Sequence, residues 1–316
     1  MSKKVAIINA YYPDYENEKR ILAPFDAEVT HTVTGDDLEK TIAAARDADA
    51  VMTRETKLPR EFMESLDHCQ VIVRYGVGVD NIDLDAAREC GIKVANVGNY
   101  GTDVVAEHAV ALMFAAARRI VTRDADVRAG KWDIGAAEPL ISFTGKTLGV
   151  IGCGAIGRAF IKKVSGLGFG QILGYDPYIK SVEGVVMSDL DTIFKNADVI
   201  SLHMPLTPET RHMVNADRFA QMKNTAIIIN DARGGLIDET ALVTALKTGQ
   251  IFAAGIDVFE QEPPEVSDEL FSLKNVVVSD HTGWYAVESL ARLQSMAAEE
   301  IARVFSGEEP KSWVNQ

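Results

Sequence analysis

TLGVIGCGAIG, residues 147–157, sets a short apolar run directly against Gly152, Gly154 and Gly157 in the spacing G-x-G-x-x-G. After a strand and before a helix, each glycine has its own task. The first permits a tight turn, the second lets backbone approach a pyrophosphate, and the third lets helix and strand pack closely. The residues that open the helix, Ala155 and Ile156, then add free N–H groups and the positive end of the helix dipole. A glycine-rich turn alone also fits an ordinary βαβ connection. The next apolar run, QILGYD (171–176), narrows the choice because it ends in Asp176, 19 residues past Gly157. A carboxylate there can accept both ribose hydroxyls of NAD and repels the 2′-phosphate of NADP, so NAD is the expected cofactor. Cys153, inside the loop, reads as a small residue tolerated beside the glycines rather than a reactive thiol.

Outward from this loop the same rhythm continues. DVISLH (198–203), AIIIND (226–231), FAAGIDVF (252–259) and VVVSDH (276–281) read as further buried strands of one parallel sheet. Upstream, KVAIIN (4–9), AVMT (50–53), VIVRY (71–75) and KVANV (93–97) read as strands of another. EKTIAAARDA (39–48), REFMESL (60–66) and DLDAAREC (83–90) are the intervening helices, and 101–119 is a long apolar helix joining the two blocks. After His281 one helix remains, 289–305, too little for a domain, so it is expected to pack back on the first block. The expected fold class is α/β with two Rossmann-like lobes of doubly wound parallel sheet. An NAD-binding domain (100–288) is inserted into a discontinuous flavodoxin-like substrate domain (1–99 plus 289–316), with a cleft that closes on the cofactor.

The 316 residues suit about two domains at roughly 150 residues each. Hydrophobic residues at 47% and charged residues at 25% exclude a disordered chain. A net charge of −14 disfavours binding to nucleic acid or to a membrane surface, so any anion site must be built from local arginines. Cys69, Cys90 and Cys153 have no paired spacing, which argues against a metal or a disulfide framework and for a reducing, cytoplasmic setting. The N-terminus reads as a first strand rather than a signal peptide, and no apolar window reaches membrane-spanning length.

Three downstream segments bring polar groups to strand ends: NDARGGLID (230–238), GIDVFEQEPP (255–264) and SDHTGWYA (279–286). Ligands of open α/β sheets bind at that edge. Arg233 can hold a substrate carboxylate and polarise a ketone, His281 can protonate the ketone oxygen, and Glu262 can hold the imidazole in its charged form. Each also fits a plainer role: a surface ion pair, a structural histidine, or, for Glu260 and Glu262, a solvated loop charge. Only their joint placement on successive strand ends points to chemistry.

With these segments the sequence resembles the D-isomer-specific 2-hydroxyacid dehydrogenase family over nearly its whole length. ARGGLID, DVFxxEP and a histidine before a small-residue turn match the family's catalytic arginine, glutamate and histidine at Arg233, Glu262 and His281. VRYGVGVDNID (73–83) and SLHMPLTPETR (201–211) resemble two further family signatures. The first implies that Arg74, with the amides of Val77 and Gly78, grips the substrate carboxylate. The second implies that Met204, Pro205 and Thr210 lie along the cofactor. The resemblance also implies cofactor contacts at Val77, Thr102, Asp231, Ala232, Arg233, Asp257, His281 and Gly283. NVGNYGTDVVAEHAVAL (96–112) and HTGWYAVESL (281–290) look like the branch of C-terminal-binding proteins, in which the residue matching Trp284 lines the substrate pocket. An indole wall suits an apolar side chain better than a phosphate. Arg54, in TRETKL, stands where a phosphoglycerate dehydrogenase would hold phosphate, and equally suits a salt bridge with Glu55.

The chain departs from the family pattern at Asp231, in place of a small or β-branched residue, and at Asp280, in place of a proline. Either extra carboxylate can weaken anion binding or favour a charged His281. Glu262 argues against formate and Val77 against phosphite as substrate. His108 reads as a packed or interface residue. The resulting expectation is an NAD-dependent D-2-hydroxyacid dehydrogenase that acts on a 2-keto acid and needs no metal. The alternatives are a 3-phosphoglycerate dehydrogenase of serine biosynthesis and an NAD-sensing corepressor-like protein with weak turnover. The chain ends at Gln316, so neither a long docking tail nor an appended serine-feedback domain is expected. The resemblance further implies a homodimer, formed through the helix after Gly101 and the segment to about 145.

Overall fold

Strands buried on both faces of a parallel sheet read as unbroken apolar runs, and in the computed structural model these runs build two such sheets. The structure describes residues 2–132, 139–265 and 269–316. Contacts divide the chain into one unit of Met1–Gly101 with Ala286–Gln316 and a second of Thr102–Tyr285. The sequence reading put the junctions at 99/100 and 288/289.

The first unit holds β1 (Lys3–Ile8), β2 (Ala27–Thr32), β3 (Ala50–Thr53), β4 (Val71–Arg74) and β5 (Lys93–Ala95). They are all parallel, in the order β2-β1-β3-β4-β5. That is the flavodoxin-like order. β2 is absent from the sequence reading for a physical reason. It is an edge strand, AEVTHT, whose side chains are mostly exposed, so it forms no apolar run. The helix Val287–Phe305 packs on the helix Glu16–Leu22, and Nε2 of Gln294 donates to the Asp14 carbonyl at 2.7 Å. The last residues lie along β5, where the Val94 N–H donates to Oδ1 of Asn315 at 2.8 Å.

The second unit holds β6 (Thr147–Ile151), β7 (Gln171–Tyr175), β8 (Val186–Met187), β9 (Val199–Leu202), β10 (Ile227–Asn230), β11 (Ala253–Ile256) and β12 (Val276–Val278). The order is β12-β11-β10-β9-β6-β7-β8, all parallel. Numbered within the unit, this is the dinucleotide-binding order 3-2-1-4-5-6 with one strand added, and the order reverses between β6 and β9. Successive side chains along each strand serve opposite faces. Val199, Ile227, Ile229 and Ala253 pack with Ala106, Ala109, Leu112 and Phe160 of the helices Thr102–Arg118 and Ala155–Val164. Ile200, Leu202, Ile228 and Ala254 pack on the other face with Phe194, Phe219 and Leu242. The long helix ends at Arg118, because Arg119 takes a left-handed conformation (φ 52°). A further helix, Ile120–Arg128, follows with no buried residue, so no apolar stripe announces it. Among the described residues no helix is long and apolar enough to cross a membrane.

Candidate active site

The glycine loop meets the demands of a dinucleotide on its own geometry. A Cβ at Gly152 (φ 96°) would lie 2.5 Å from the His203 carbonyl oxygen, and one at Gly157 would lie 2.0 Å from the Gly152 oxygen. At Gly154 the corresponding direction is open, with nothing but its chain neighbours within 4 Å. The helix Ala155–Val164 has no side-chain cap at its N-terminus, so the N–H groups at Ala155 and Ile156 remain available to an anion. Asp176, one residue past β7, accepts from the N–H groups of Cys153 (2.9 Å), Tyr178 (2.9 Å) and Ile179 (3.0 Å). Burial works against its charge, yet these backbone donors outweigh burial and hold the carboxyl below its ordinary range. Burial and the Asp176 charge push the Cys153 thiol up to about 11, which keeps it protonated and unreactive at neutral pH. These residues fit a dinucleotide.

Farther along the same edge, Nδ1 of His281 lies 2.6 Å from Oε2 of Glu262. The pair is partly open to solvent, with side-chain exposures of 27% and 32%. The Phe259 N–H donates to Oε1 of the same glutamate at 3.0 Å, fixing its rotamer. His281 itself sits at φ 55° and is tied by its N–H to the Asp257 carbonyl at 2.8 Å. The two glutamates of the loop are thereby distinguished. Glu260 receives the Glu239 N–H at 3.0 Å and pairs with His212 at 2.8 Å, while Glu262 holds His281. Arg233 is held at its backbone by Nδ2 of Asn230, which donates to its carbonyl at 2.9 Å, and its Nη1 donates to the Ala232 carbonyl at 2.8 Å.

Asp257, one residue past β11, collects Oγ of Ser279 (2.6 Å) and the N–H groups of Thr282 (3.1 Å) and Gly283 (2.9 Å). Gly283 has to be glycine, since a Cβ there would stand 2.9 Å from Oδ2 of Asp257. His108 joins this cluster rather than only packing. Its Nε2 is 2.8 Å from Oγ of Ser279 and 3.3 Å from Oδ1 of Asp257. The hydrogen bond to Asp257 raises the His108 pKa, with burial opposing. Trp284 is partly buried, its ring edge-on to Tyr285 at 5.6 Å. Met204 is buried, Pro205 is exposed, and Oγ1 of Thr210 donates to the Pro205 carbonyl at 2.8 Å, closing the loop after β9. Thr102 opens the long helix.

In the first unit, Arg74 ends β4 and is buried. Its Nη2 donates to Oε1 of Glu55 at 2.6 Å and its Nε to the Arg54 carbonyl at 3.0 Å. Nε of Arg54 lies 4.0 Å from the same Glu55 oxygen. Gly76 (φ 135°) lets the arginine cross it, since a Cβ there would fall 1.6 Å from Nη1 of Arg74. Val77 is exposed, and Gly78 follows it in the turn. The sequence reading missed the contacts of His108 with Ser279 and Asp257 and the burial of the His203 side chain. For His203 the available signal was that H, D and D each stand one residue past a strand in SLH, IND and GID.

The chain belongs to the D-isomer-specific 2-hydroxyacid dehydrogenase family, whose NAD-binding domain matches residues 110–283. That span includes the glycine loop, Asp176 and the Arg233–Glu262–His281 set, and NAD is the cofactor. The family's members are NAD-dependent oxidoreductases acting on CH–OH groups. The chain is 42% identical over 309 residues to a D-3-phosphoglycerate dehydrogenase of Methanocaldococcus jannaschii, covering 96% of itself but only 58% of that protein. It is 41% identical to a glyoxylate reductase of Thermococcus litoralis, covering 86% of itself and 85% of that enzyme. The structure of D-lactate dehydrogenase from Escherichia coli superposes with a TM-score of 0.85 at 32% identity, over 98% of this chain and 99% of that one.

Proposed function

We propose that this chain transfers hydride reversibly between NADH and a small 2-keto acid, yielding the D-2-hydroxy acid, with Arg233, Glu262 and His281 as its catalytic residues. The observation that carries the reading is the 2.6 Å contact between Nδ1 of His281 and Oε2 of Glu262, in the same unit as Arg233 and the glycine loop. Bound NADH supplies the hydride. Arg233 offers its guanidinium to the substrate carboxylate and the carbonyl oxygen, a planar fork suited to both. Nδ1 of His281 is committed to Glu262, so proton exchange with the carbonyl oxygen falls to Nε2. Glu262, its rotamer fixed by Phe259, holds the ring in place. The backbone at Gly152–Gly157 binds the pyrophosphate, and Asp176 selects NAD over NADP. Arg74 and the amides at Val77 and Gly78 contribute to carboxylate recognition, and the match of the C-terminal-binding-protein-like segments supports Trp284 in the pocket.

Glu55 opposes the charge of both Arg74 and Arg54, which supports a substrate with an uncharged side chain. A second reading, oxidation of 3-phosphoglycerate, is supported by the relative of that name and by Arg54 beside Arg74. A homodimer through residues 102–132 and onward to about 145 is supported by exposed Ile120, Val121, Val127 and Trp132. Residues 133–138 of that segment lie outside the described residues. Three free cysteines suit the reducing cytoplasm.

NADH oxidation against glyoxylate, hydroxypyruvate, pyruvate, phenylpyruvate, 4-methylthio-2-oxobutanoate and 3-phosphohydroxypyruvate tests both readings. The highest kcat/KM is expected for an uncharged member. Preference for the phosphorylated one would establish the second reading, and no turnover on any of the six would overturn the first.

A further inference from the structure

One buried group has no task in this mechanism. Parallel pairing sets Ile151 opposite Leu202, Leu202 opposite Asn230, and Asn230 opposite Ile256. The next residue of each strand therefore forms a row along the sheet edge: Gly152, His203, Asp231 and Asp257. Alternation puts His203, Asp231 and Asp257 on the face covered by the helices Thr102–Arg118 and Ala155–Val164. The Asp231 side chain is fully shielded, and neither of its oxygens has a hydrogen-bond partner. Nδ1 of His203 lies 3.8 Å from Oδ1 of Asp231 and is equally without a hydrogen-bond partner. Nε2 of His203 is engaged with Oγ of Ser201 at 2.9 Å, and the Phe160 ring lies 5.1 Å from the imidazole. The other titratable groups facing Asp231 are Asp257 past β11 and His108 from the long helix, with Asp280 acting in turn on His108.

A dinucleotide lies across the point where strand order reverses, one nucleoside to each side. Asp176 marks the β7 side as that of the adenosine ribose, so the nicotinamide half falls to the side of β9, β10 and β11. We propose that Asp231 is a buried charge gauge for the cofactor. As a neutral acid beside His203 it leaves the row suited to the uncharged reduced ring, and as a carboxylate it favours the cationic oxidised ring. The inference rests on NAD binding, as proposed above, and not on the identity of the substrate. Burial and the neighbouring Asp257 charge push the Asp231 carboxyl up to about 8, while burial keeps His203 neutral, its pKa down to about 3. The change of state thus falls within an accessible pH range.

The test is a fluorescence titration of the full chain with NADH and, by competition, NAD+, at about pH 6.5 and about pH 9.5. Wild type, Asp231→Asn and Asp231→Thr are compared. In the wild type the ratio Kd(NADH)/Kd(NAD+) is expected to rise by about tenfold more than in either variant, the effect of a coulombic interaction over about 12 Å at an effective dielectric of about 20. His281 is present in all three proteins, so its contribution cancels in the comparison. Infrared spectra of the wild type should show a protonated-carboxyl band that fades as pH rises, a measurement that needs no variant to fold. Equal ratios in wild type and variants, or no such band, would overturn the inference. Failure to bind either form of the cofactor would instead overturn the functional reading on which it rests.

Discussion

Replacing Arg233 by alanine removes a guanidinium carried at the same strand-end edge as the His281–Glu262 pair. The local fold should survive. Asn230 anchors the backbone carbonyl of residue 233 rather than its side chain, and the Nη1 bond to the Ala232 carbonyl is replaceable by water because both residues are only partly buried. The loss therefore falls on the reaction. A fixed donor aimed at developing negative charge contributes about 3 kcal/mol, so kcat/KM should fall by ~10²–10³-fold. Arg233→Lys restores the charge but not the fork, and should recover only part of that loss. Stopped-flow or steady-state NADH oxidation measures the effect, and quenching of NADH fluorescence supplies the control, with Kd expected to change by less than about threefold. Turnover of the alanine variant within about fivefold of wild type would refute the assignment, since no catalytic role for Arg233 is compatible with so small a change.

Glu262→Gln keeps the shape of the 2.6 Å contact with His281 but removes its charge, and kcat should fall about 10–100-fold with NADH affinity unchanged. Gly157→Ala places a methyl 2.0 Å from a backbone oxygen that cannot rotate away. NADH should bind at least about tenfold more weakly, with about 1–3 kcal/mol lost in urea denaturation. Arg54→Ala should leave KM for an alkyl keto acid within about twofold, and only a phosphate-binding role would raise KM selectively for the phosphorylated substrate. Asp231 stays protonated in the folded protein up to about pH 8, whereas the unfolded carboxyl ionises near 3.9. Its effect on folding is therefore nil in acid, grows increasingly unfavourable between those values, and levels off above. Asp231→Asn should gain stability relative to wild type as pH rises from about 5 to about 9, seen as a widening gap in urea midpoints.

Elements that are buried on both faces were legible in the sequence, because a strand such as IIIN or VIVR is apolar up to its last residue. β2 and β8 escaped for the opposite reason: at the edges of their sheets they alternate or barely form, and their exposed side chains carry no apolar signal. The helix Ile120–Arg128 escaped likewise, since it buries nothing. At the site, the glycine loop and the Arg233–Glu262–His281 set could be read from spacing. Spacing alone leaves Glu260 and Glu262 alike in one short loop; the resemblance pointed to Glu262, and the positions of His212, Glu239 and Phe259 divide the two.

Three aspartates show where such reading ends. Asp176, Asp231 and Asp257 each stand one residue past a strand, and from sequence they are the same feature repeated. Burial does not separate the last two: Asp257 is 1% exposed and Asp231 7%, yet the first is held below the ordinary carboxylate range and the second pushed far above it. The difference lies in donors. Burial opposes the charge of Asp257, but His108, Ser279, Gly283 and Thr282 all supply hydrogens to it. Asp176 has three backbone donors, and Asp231 has none. Most of those donors are main-chain N–H groups: two belong to the turn after β7, and three to the loops after the neighbouring strands β6 and β12. No donor reaches Asp231, which keeps its proton. The charge of this edge is thus set by the path of three loops rather than by the residues that bear it.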